Sequence, residues 1–462
     1  MVHAQQSHAI QLDGRKLEGG GQLVRIAVAL SALTGQAVTI DHIRGNRSGK
    51  GGLKASHLAA ITTLADLSGS KLVKAQVGSC SVGFYPPAPE ERHARQTDSE
   101  IDIRLPTPGS VFLVFQALYP YLLHFASADR IQLSITGGTN VSSSPSYDYF
   151  SQVLIPNFAR VGLPPLSVRL KKRGWSSSQG HSGLGKVVFE VDTLRSIETQ
   201  SGGSPSHEAR PTIPSIDLHK CRRGKVIKID VTVLAPDDQL NTPHSTAKDS
   251  RTGISDDASD ELGGEDAESK SIRTFMEQYT YEALRRRLAE VPEAVFLHRS
   301  SDEPDHQESH AVPIKTHTTE ATNRRSCLYV LIVAHMSTGF KIGRDALYGS
   351  LTNEPKPKVR KGQKKVEEDM TRKVTRLVDS CVERFARELW DPNLEREEGA
   401  PRTVYRPCVD EYTRDQLVVF EALGGPSGLA ENEEREDERY WSLHTKTAQW
   451  VCREMLGQNY TR

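Results

Sequence analysis

The sequence predicts an α/β protein in which a large domain of repeated helix–sheet units carries a smaller inserted α/β domain. The first observation is a unit that occurs four times in the first 190 residues: an apolar helix, a turn with glycine or proline, and a short alternating strand. The second is a change of composition after this region, and the third is an apolar helix at the end of the chain that resembles the first ones. Such alternation is typical of helices packed on sheets.

The four units follow one another along the chain. Gly35, at the end of the first helix, is suited to a left-handed helix cap. The predicted helices cover residues 22–35, 57–69, 111–126 and 149–162, and the predicted strands cover 36–43, 71–77, 130–136 and 166–170.

A second, smaller domain is predicted in the middle of the chain. Residues 236–270 contain ten acidic residues and almost no large apolar ones, so we expect this segment to be disordered. It is followed by a predicted helix (271–291), a strand (293–299), a polar loop, an apolar strand (327–336), a basic loop and a long helix (364–390). We therefore expect an N-terminal part at 1–223, an inserted α/β domain at 224–403 and a return to the first domain at 404–462.

Composition excludes several classes of protein. Lysine plus arginine (59) balance aspartate plus glutamate (59), so any site for a polyanion must be local. The six cysteines have no close pairs, which argues against a zinc knuckle or a disulfide framework. No stretch approaches the ~18 apolar residues of a membrane span, and the first residues lack the apolar core of a signal peptide. We expect a soluble intracellular protein.

Two stretches resemble a nucleotide-binding P-loop, but neither fits its mechanism. Gly180–Val187 has the glycine and lysine spacing but lacks the hydroxyl residue for magnesium, and a strand follows where a helix is needed. Gly45–Gly52 is one residue short and also lacks the hydroxyl. If the chain uses ATP, it does so outside the P-loop class.

A better phosphate-binding candidate combines two glycine-rich stretches. "LEGGGQLVR" places three glycines directly before a helix, with Glu18 before them and Arg25 one turn inside. "IRGNRSGKGGLKASHL" adds Arg44, Arg47 and His57. Arginine forks match phosphate oxygens, and a histidine can donate to a phosphate or move a proton. The alternative is an ordinary turn with solvated arginines.

His444 is a second candidate, near the C-terminus. Thr445 or Thr447 is expected to cap the last helix, with His444 just before it. A helix N-terminus disfavours imidazolium, so this histidine would be a neutral nucleophile for phosphorus. Taken alone, a packed or surface histidine is the more common case. The apolar face of the helix consists of Ala448, Val451, Cys452 and Met455.

Six motifs occur in one order along the chain: "LDGRKLEGGGQLVRIAVALSALTG", "IRGNRSGKGGLKASHL", "GSVFLVFQALYP", "ITGGTNVSSSPSYDYF", "DEYTRDQLV" and "SLHTKTAQWV". Together they resemble the RNA 3′-terminal phosphate cyclase family. The resemblance covers about the first 190 residues and the last 55, and it is weak across the expected insertion. It implies the same two-domain architecture.

The resemblance implies a reaction and a role for each candidate. Family enzymes convert an RNA 3′-phosphate into a 2′,3′-cyclic phosphate with ATP and Mg²⁺ or Mn²⁺, through a histidine–AMP intermediate. His444 matches the nucleophile, Glu18 matches the metal ligand, and Asp415 is hypothesised to orient the His444 ring. The implied phosphate contacts are Arg25, Arg44, Arg47 and His57, and the implied nucleotide contacts are Gln116, Tyr412, Thr413, Arg414, Asp415 and Gln416.

The sequence departs from the family pattern at three places: Ser56 replaces a glutamine, the loop 174–185 is altered, and the acidic stretch 430–440 is longer. One alternative is the non-catalytic, cyclase-like branch that acts in ribosome biogenesis, and the presence of His444 argues against it. The other alternative is an unrelated transferase, which leaves the six motifs unexplained.

The basic run 356–365 predicts either a nuclear import signal or an RNA contact, and a solvated loop fits it equally well. Eukaryotic members of the family favour nuclear residence. The implied partners are ATP and an RNA with a 3′-phosphate. Protein partners, the physiological RNA and the oligomeric state stay open.

Overall fold

The computed structural model of the chain shows one contiguous apolar core built from both the N-terminal and the C-terminal halves. The described residues are 9–47, 49–88, 98–125, 128–177, 182–195, 212–240, 270–297, 312–350, 369–395, 406–425 and 440–457.

The first part of the chain forms two four-stranded sheets and a two-stranded pair. The strands are β1 (Ile10–Asp13), β2 (Val38–Asp41), β3 (Lys71–Val73), β4 (Val82–Tyr85), β5 (Glu100–Arg104), β6 (Arg130–Gly137), β7 (Asn140–Val141), β8 (Leu166–Lys172), β9 (Trp175–Ser176) and β10 (Gly185–Asp192). The sheets have the orders β1-β2-β4-β3 and β5-β6-β10-β8, and β7 pairs with β9. In each four-stranded sheet the first pair is parallel and the other pairs are antiparallel. The two sheets therefore repeat one connectivity.

Apolar helices cross over between the parallel strands, as the sequence predicts. Gly35 and Gly69 end the first two helices in the left-handed conformation (φ 76° and 71°). The first helix packs against the second and third, and eleven consecutive residues, from Gln22 to Ala32, are buried in it. The helices of this part are α1 (Gly21–Thr34), α2 (Ala55–Ser68), α3 (Val111–Phe125), α4 (Tyr147–Tyr149) and α5 (Ile155–Arg160), with the π-helical turn Phe150–Leu154 joining the last two.

A third sheet comes from the middle of the chain. Its order is β12-β11-β13-β14, and helices α6 and α7 pack against each other beside it. The elements are β11 (Val226–Ala235), α6 (Ile272–Leu288), β12 (Ile314–Ala321), β13 (Tyr329–Met336), β14 (Lys341–Leu347) and α7 (Met370–Leu389).

Three sequence predictions in this region are wrong. Residues 293–299 were expected as a strand, but Glu293–Val295 form a 3₁₀ turn and Phe296 makes only an isolated bridge to Val226. The basic segment 337–363 was expected as a loop, but Lys341–Leu347 within it form the strand β14. The polar segment Ile314–Ala321 was expected as a loop, but it is the edge strand β12. An edge strand is hydrogen-bonded on one side only and needs few apolar side chains, so its sequence is hard to distinguish from a loop.

The chain then returns to the first helix through α8 (Pro392–Glu395), α9 (Glu411–Leu423) and α10 (Leu443–Leu456). Helix α10 packs against both α1 and α9. It begins earlier than expected, because the Ser442 hydroxyl caps it by accepting from the Thr445 N–H (2.8 Å). Thr445 and Thr447 are thus inside the helix, and His444 is in its first turn.

The α/β class is confirmed, whereas the domain boundaries at 223 and 403 stay predictions. Most of the expected disordered segment (241–269), the basic run 356–365, and parts of the loops 174–185 and 430–440 lie outside the described residues. In the described part of the chain, none of the helices combines the length and apolar character needed to span a bilayer.

Asp410 joins three elements and provides a test of the fold. Its buried carboxylate accepts hydrogen bonds from the Tyr149 hydroxyl (2.5 Å), the Thr413 N–H (2.9 Å) and the Gly343 N–H (2.8 Å). Asp410→Ala would leave these buried donors unpaired, at a cost of about 3 kcal/mol. We expect thermal denaturation to begin several degrees lower, with a smaller shift for Asp410→Asn, which keeps one acceptor. Equal midpoints for wild type and Asp410→Ala would contradict this role.

Candidate active site

His444 lies at the wall of a cavity of about 330 Å³ between α1, α3, α9, α10 and the third sheet. The predicted residues Arg25, Gln116 and Tyr412 line it together with Asp415, Gln416 and His444. Since these positions come from both ends of the chain, the fold assembles them only through the packing of α9 and α10 on the N-terminal helices. The cavity is therefore the candidate active site.

The His444 ring is oriented by Gln22, one residue after the three glycines. Its Nδ1 lies 2.9 Å from the Gln22 amide oxygen, which can only accept a hydrogen bond. Nδ1 therefore carries the proton, and Nε2 keeps its lone pair when the ring is neutral. Burial, followed by the positive charges of Arg47 and Arg25, lowers the pKa of His444 to about 4. The imidazole is neutral at physiological pH.

The expectation that Asp415 orients this ring is wrong. The Asp415 carboxylate accepts from the Ser442 hydroxyl (2.7 Å) and the Thr445 hydroxyl (2.5 Å), so it holds the N-terminus of α10 instead. Burial raises the pKa of this carboxyl to about 7, against the opposing effect of those two hydrogen bonds. Asp415 thus positions the helix that carries His444.

Glu18 lies beside His444. One carboxylate oxygen accepts from the Gly20 N–H (2.8 Å), and the same oxygen is 3.9 Å from the His444 Nδ1. The other oxygen is ion-paired with Arg47 and is buried without a hydrogen bond. Because Arg47 neutralises Glu18, the carboxylate does not stabilise an imidazolium at His444.

The three glycines make room for these side chains. Gly19 adopts the left-handed conformation (φ 63°). A Cβ at Gly20 would lie 2.1 Å from the Glu18 carboxylate, and a Cβ at Gly21 would lie 2.2 Å from the His57 Nε2. Larger residues would therefore displace Glu18 or His57 from the start of α1.

His57 is a neutral hydrogen-bond donor at the same helix end. Its Nδ1 accepts from the Lys54 backbone N–H (3.2 Å), so Nε2 carries the hydrogen and lies next to Gly21. Burial, with the charges of Arg25, Arg44 and Lys54, lowers its pKa to about 3. This residue can donate to a phosphate, but it is a poor base at neutral pH.

Arg25 supplies a buried positive charge. Its Nε donates to the Gln116 amide oxygen (2.8 Å), and burial lowers the pKa of the guanidinium only to about 10. Within the described ranges no carboxylate pairs with Arg25. Arg44 adopts the left-handed conformation and donates to the Lys50 carbonyl (2.9 Å). The start of α1 therefore combines two arginines, a neutral histidine donor and a helix N-terminus, all of which favour anions.

Two predicted nucleotide contacts lie elsewhere. Thr413 is buried against the Tyr149 hydroxyl (3.1 Å), and Arg414 forms a buried ion pair with Glu421 (2.5 Å). Neither residue lines the cavity that contains His444. A helix turns by about 100° per residue, so Tyr412, Asp415 and Gln416 share one face of α9 and the two residues between them point away.

Sequence reasoning missed several cavity residues. Gln22 had a signal, because it is three residues before Arg25 and therefore on the same helical face. Tyr329, Asp345 and Arg384 come from the third sheet and α7, and nothing local in the sequence connects them with His444. The Asp345 carboxylate accepts from the Tyr329 hydroxyl (3.1 Å).

Residues that could hold a divalent metal are few. In the described part of the chain no group of three or more histidine, cysteine, aspartate or glutamate side chains could bind one. Magnesium is commonly held by one or two carboxylates plus substrate phosphates and water. Glu18 fits this pattern. Its buried oxygen without a hydrogen bond is ion-paired with Arg47. A phosphate could attract Arg47 away and leave this oxygen open to a metal.

A repeated two-sheet α/β fold with a neutral histidine beside an anion-favouring helix end defines an α/β protein with a candidate phosphate-binding site. Comparison with known proteins gives the family: the model described as RNA 3′-terminal phosphate cyclase matches residues 16–461. The chain belongs to this family.

Similar proteins include three archaeal relatives named RNA 3′-terminal phosphate cyclase. That of Thermococcus onnurineus is 39% identical over 178 residues, which are 38% of this chain and 48% of the relative. That of Pyrococcus furiosus is 41% identical over 165 residues, or 36% and 45% of the two chains. That of Methanosarcina mazei is 34% identical over 221 residues, or 48% and 59%. The aligned part thus spans about half the length of these relatives.

The protonation state of His444 provides a direct test of the site. In the protein with ¹³C-labelled histidine, the His444 ring should titrate at a pH of about 4, because burial and two arginines disfavour the imidazolium. Arg47→Gln should move the titration to higher pH, since it removes one of these charges. NMR titration from about pH 2.5 to about pH 8 measures both midpoints, with His444→Asn to assign the signal. A midpoint near the ordinary histidine value of ~6.5 would contradict the described environment.

Proposed function

We propose that this protein converts an RNA 3′-terminal phosphate into a 2′,3′-cyclic phosphate at the expense of ATP, by way of AMP bound covalently to His444. The observation that carries the proposal is the neutral His444 ring, whose Nδ1–H is held by Gln22 and whose pKa is about 4. Such a ring presents an unprotonated Nε2 at the wall of a nucleotide-sized cavity. Membership of the cyclase family supports the same reaction.

In the first step, the Nε2 lone pair attacks the α-phosphorus of ATP. The new N–P bond forms as the bond between the α-phosphorus and the bridging oxygen breaks, and pyrophosphate leaves with that electron pair. The ring carries its Nδ1 proton throughout and becomes cationic, and Gln22 accepts the hydrogen bond that grows stronger as this charge develops. No proton has to be removed before attack, so the step needs no general base.

Charge on the phosphates is neutralised by groups around the start of α1. Arg25 is buried and has no carboxylate partner in the described ranges, so its guanidinium is available to a phosphate oxygen. Arg44 and Arg47 provide two further charges, and His57 donates through Nε2. An arriving triphosphate would compete with Glu18 for Arg47, which would free the carboxylate.

The freed Glu18 carboxylate is the residue that would hold Mg²⁺ or Mn²⁺. When bound, such an ion stabilises the negative charge on the phosphate oxygens. Gly20 keeps the carboxylate in place through its N–H (2.8 Å), and the Glu18 N–H itself is 3.2 Å from the Thr447 hydroxyl oxygen. Helix α10 thus holds the backbone of Glu18, and the glycine turn holds its carboxylate.

The nucleoside of ATP is assigned to the part of the cavity that α3 and α9 line. Tyr412 supplies a flat aromatic wall there, and the Arg344 guanidinium lies over its ring at 4.2 Å. Gln116 and Gln416 provide amide groups on the same lining. Tyr412 and Gln416 therefore remain our proposed nucleotide contacts. Gln116 has a further role, because its amide oxygen accepts the hydrogen bond from Arg25.

In the later steps, an oxygen of the RNA 3′-phosphate attacks the α-phosphorus of the histidine adduct, and the N–P bond breaks with its electron pair returning to Nε2. The 2′-hydroxyl then attacks the RNA phosphorus and AMP leaves, which closes the cyclic phosphate. The hydroxyl proton passes to solvent or to the leaving AMP phosphate. His57 is not assigned as the base, because its pKa of about 3 makes it a poor proton acceptor.

The non-catalytic branch of the family is disfavoured by the same observation. A scaffold protein has no need for a buried arginine, a neutral donor histidine and a tautomer-fixed His444 around one cavity. Nuclear residence stays a prediction from the sequence.

His444→Asn should abolish labelling of the protein by ATP that carries radioactive phosphorus at the α-position, because asparagine lacks the nucleophilic nitrogen. The wild-type protein with magnesium should also make the end of an RNA 3′-phosphate resistant to phosphatase, and the variant should not. Denaturing electrophoresis of the labelled protein and of the treated RNA measures the two results.

The matched control is His317→Asn, which changes an exposed histidine on β12 whose ring is hydrogen-bonded to its neighbour Thr318 (2.9 Å). This variant should keep full labelling. Persistent labelling of His444→Asn, or an RNA end that stays phosphatase-sensitive with wild-type protein under varied metals, would overturn the proposed function.

A further inference from the structure

A second cavity, of about 320 Å³, adjoins the cavity of His444. The two share the side chains of Tyr412 and Arg384 as a common wall. The second cavity is also lined by Tyr440, Trp441 and Ser442, the three residues directly before helix α10. Because His444 is two residues after Ser442, the second cavity begins close to the reacting nitrogen. The proposed reaction of His444 with ATP does not use it.

The lining of this cavity carries an excess of positive charge. Five arginines and three carboxylates of the described chain line it, although the whole chain has no net charge. Arg344 is satisfied by Glu388 (3.0 Å) and Glu411 (2.7 Å). Arg384, in contrast, donates to the backbone carbonyls of Ser380 and Asp345 (both 3.1 Å). The lining arginines are Arg223, Arg344, Arg384, Arg387 and Arg414.

Arg223, like Arg384, donates to a backbone carbonyl. Its guanidinium donates to the backbone carbonyl of Glu388, and burial lowers the pKa of Arg223. A carbonyl accepts a hydrogen bond without cancelling a charge, so an anion in the cavity would gain from both residues. A local positive site of this kind is what a polyanion requires on a chain that is neutral overall.

Two buried donors in the lining have no acceptor in the described chain. They are the Trp441 indole Nε1 and the Arg344 Nε. Arg344 has a relative exposure of only 5%. A buried donor without a partner is costly, and few survive in folded proteins unless a ligand or water completes them. Both donors therefore point to a ligand with hydrogen-bond acceptors.

We propose that the second cavity binds the nucleotides that precede the 3′ end of the RNA. Arginines beside aromatic side chains are typical of sites for single-stranded nucleic acid. The arginines bind the phosphates of the nucleic acid, and the bases stack on the aromatic rings. Trp441 and Tyr440 supply the rings, and Arg223, Arg384 and Arg387 supply the charges. An acidic peptide would neutralise the arginines, but it would offer no bases to stack on the rings of Tyr440 and Trp441. The inference rests on the proposed function, since it names where the same RNA substrate lies.

Binding of a pentanucleotide RNA with a 3′-phosphate and a 5′-fluorophore tests the inference. Fluorescence anisotropy with the full chain, in the absence of ATP, measures its affinity. We expect Trp441→Leu and Arg387→Gln each to weaken binding about tenfold, since each removes a stacking ring or a backbone charge. Arg387 is exposed and its described partner is the neighbouring Glu383 in the same helix, so its replacement is not expected to unfold the protein.

The matched control is Arg169→Gln on β8, an exposed arginine paired with Glu190 far from both cavities in the second sheet. It should bind RNA as the wild type does. Unchanged RNA affinity in both Trp441→Leu and Arg387→Gln would overturn the inference, and so would binding of an acidic peptide, but not RNA, that depends on Trp441. The binding assay needs no ATP. Loss of the proposed catalytic function with intact, Trp441-dependent RNA binding would therefore be recognised as a separate result.

Discussion

The site depends on the packing of α10 against the first turn of α1. This contact brings together His444 and Gln22, which are 422 positions apart in the chain, and it places Thr447 against the backbone N–H of Glu18. Beside this contact, the glycines leave room for the side chains of Glu18 and His57 at the start of α1. Asp415 fixes the N-terminus of α10 by accepting from Ser442 and Thr445. The position and the tautomer of the histidine follow from the contact between α10 and α1.

The electrostatics of the site favour a neutral nucleophile among positive charges. Burial, and after it the charges of Arg47 and Arg25, lowers the pKa of His444, and burial with the charges of Arg25, Arg44 and Lys54 lowers that of His57. The same positive charges attract phosphates, so the features that favour an anion also keep His444 unprotonated. In the proposed histidine–AMP adduct the ring would be cationic, and the surrounding arginines would disfavour that charge. The proposed adduct would thereby be a better donor of its AMP to an RNA phosphate.

Local patterns predicted much of the fold and part of the site. The helices α1, α2 and α3 and their glycine ends follow from apolar periodicity and turn chemistry, and the motifs identified His444, Arg25 and Glu18. The edge strand β12 was missed because its sequence is polar, and Thr413 and Arg414 were wrongly expected at the nucleotide because a run of sequence does not show which helix face meets the cavity. Asp415 lines the cavity, but it holds Ser442 and Thr445 and not the His444 ring, a choice of partner that only the tertiary structure shows. Arg384 and Trp441 lay beyond sequence reasoning, since only tertiary packing brings them to the site.

The central claim is that Gln22 holds the Nδ1–H of His444 and leaves Nε2 to react. The most direct measurement is the nitrogen to which AMP is attached. Protein with ¹⁵N-labelled histidine would be incubated with ATP and magnesium, and the ³¹P–¹⁵N coupling of the adduct would be recorded by NMR under denaturing alkaline conditions. The account predicts a coupling to Nε2 of His444. A phosphoramidate at Nδ1, the nitrogen that lies 2.9 Å from the Gln22 oxygen, would contradict it.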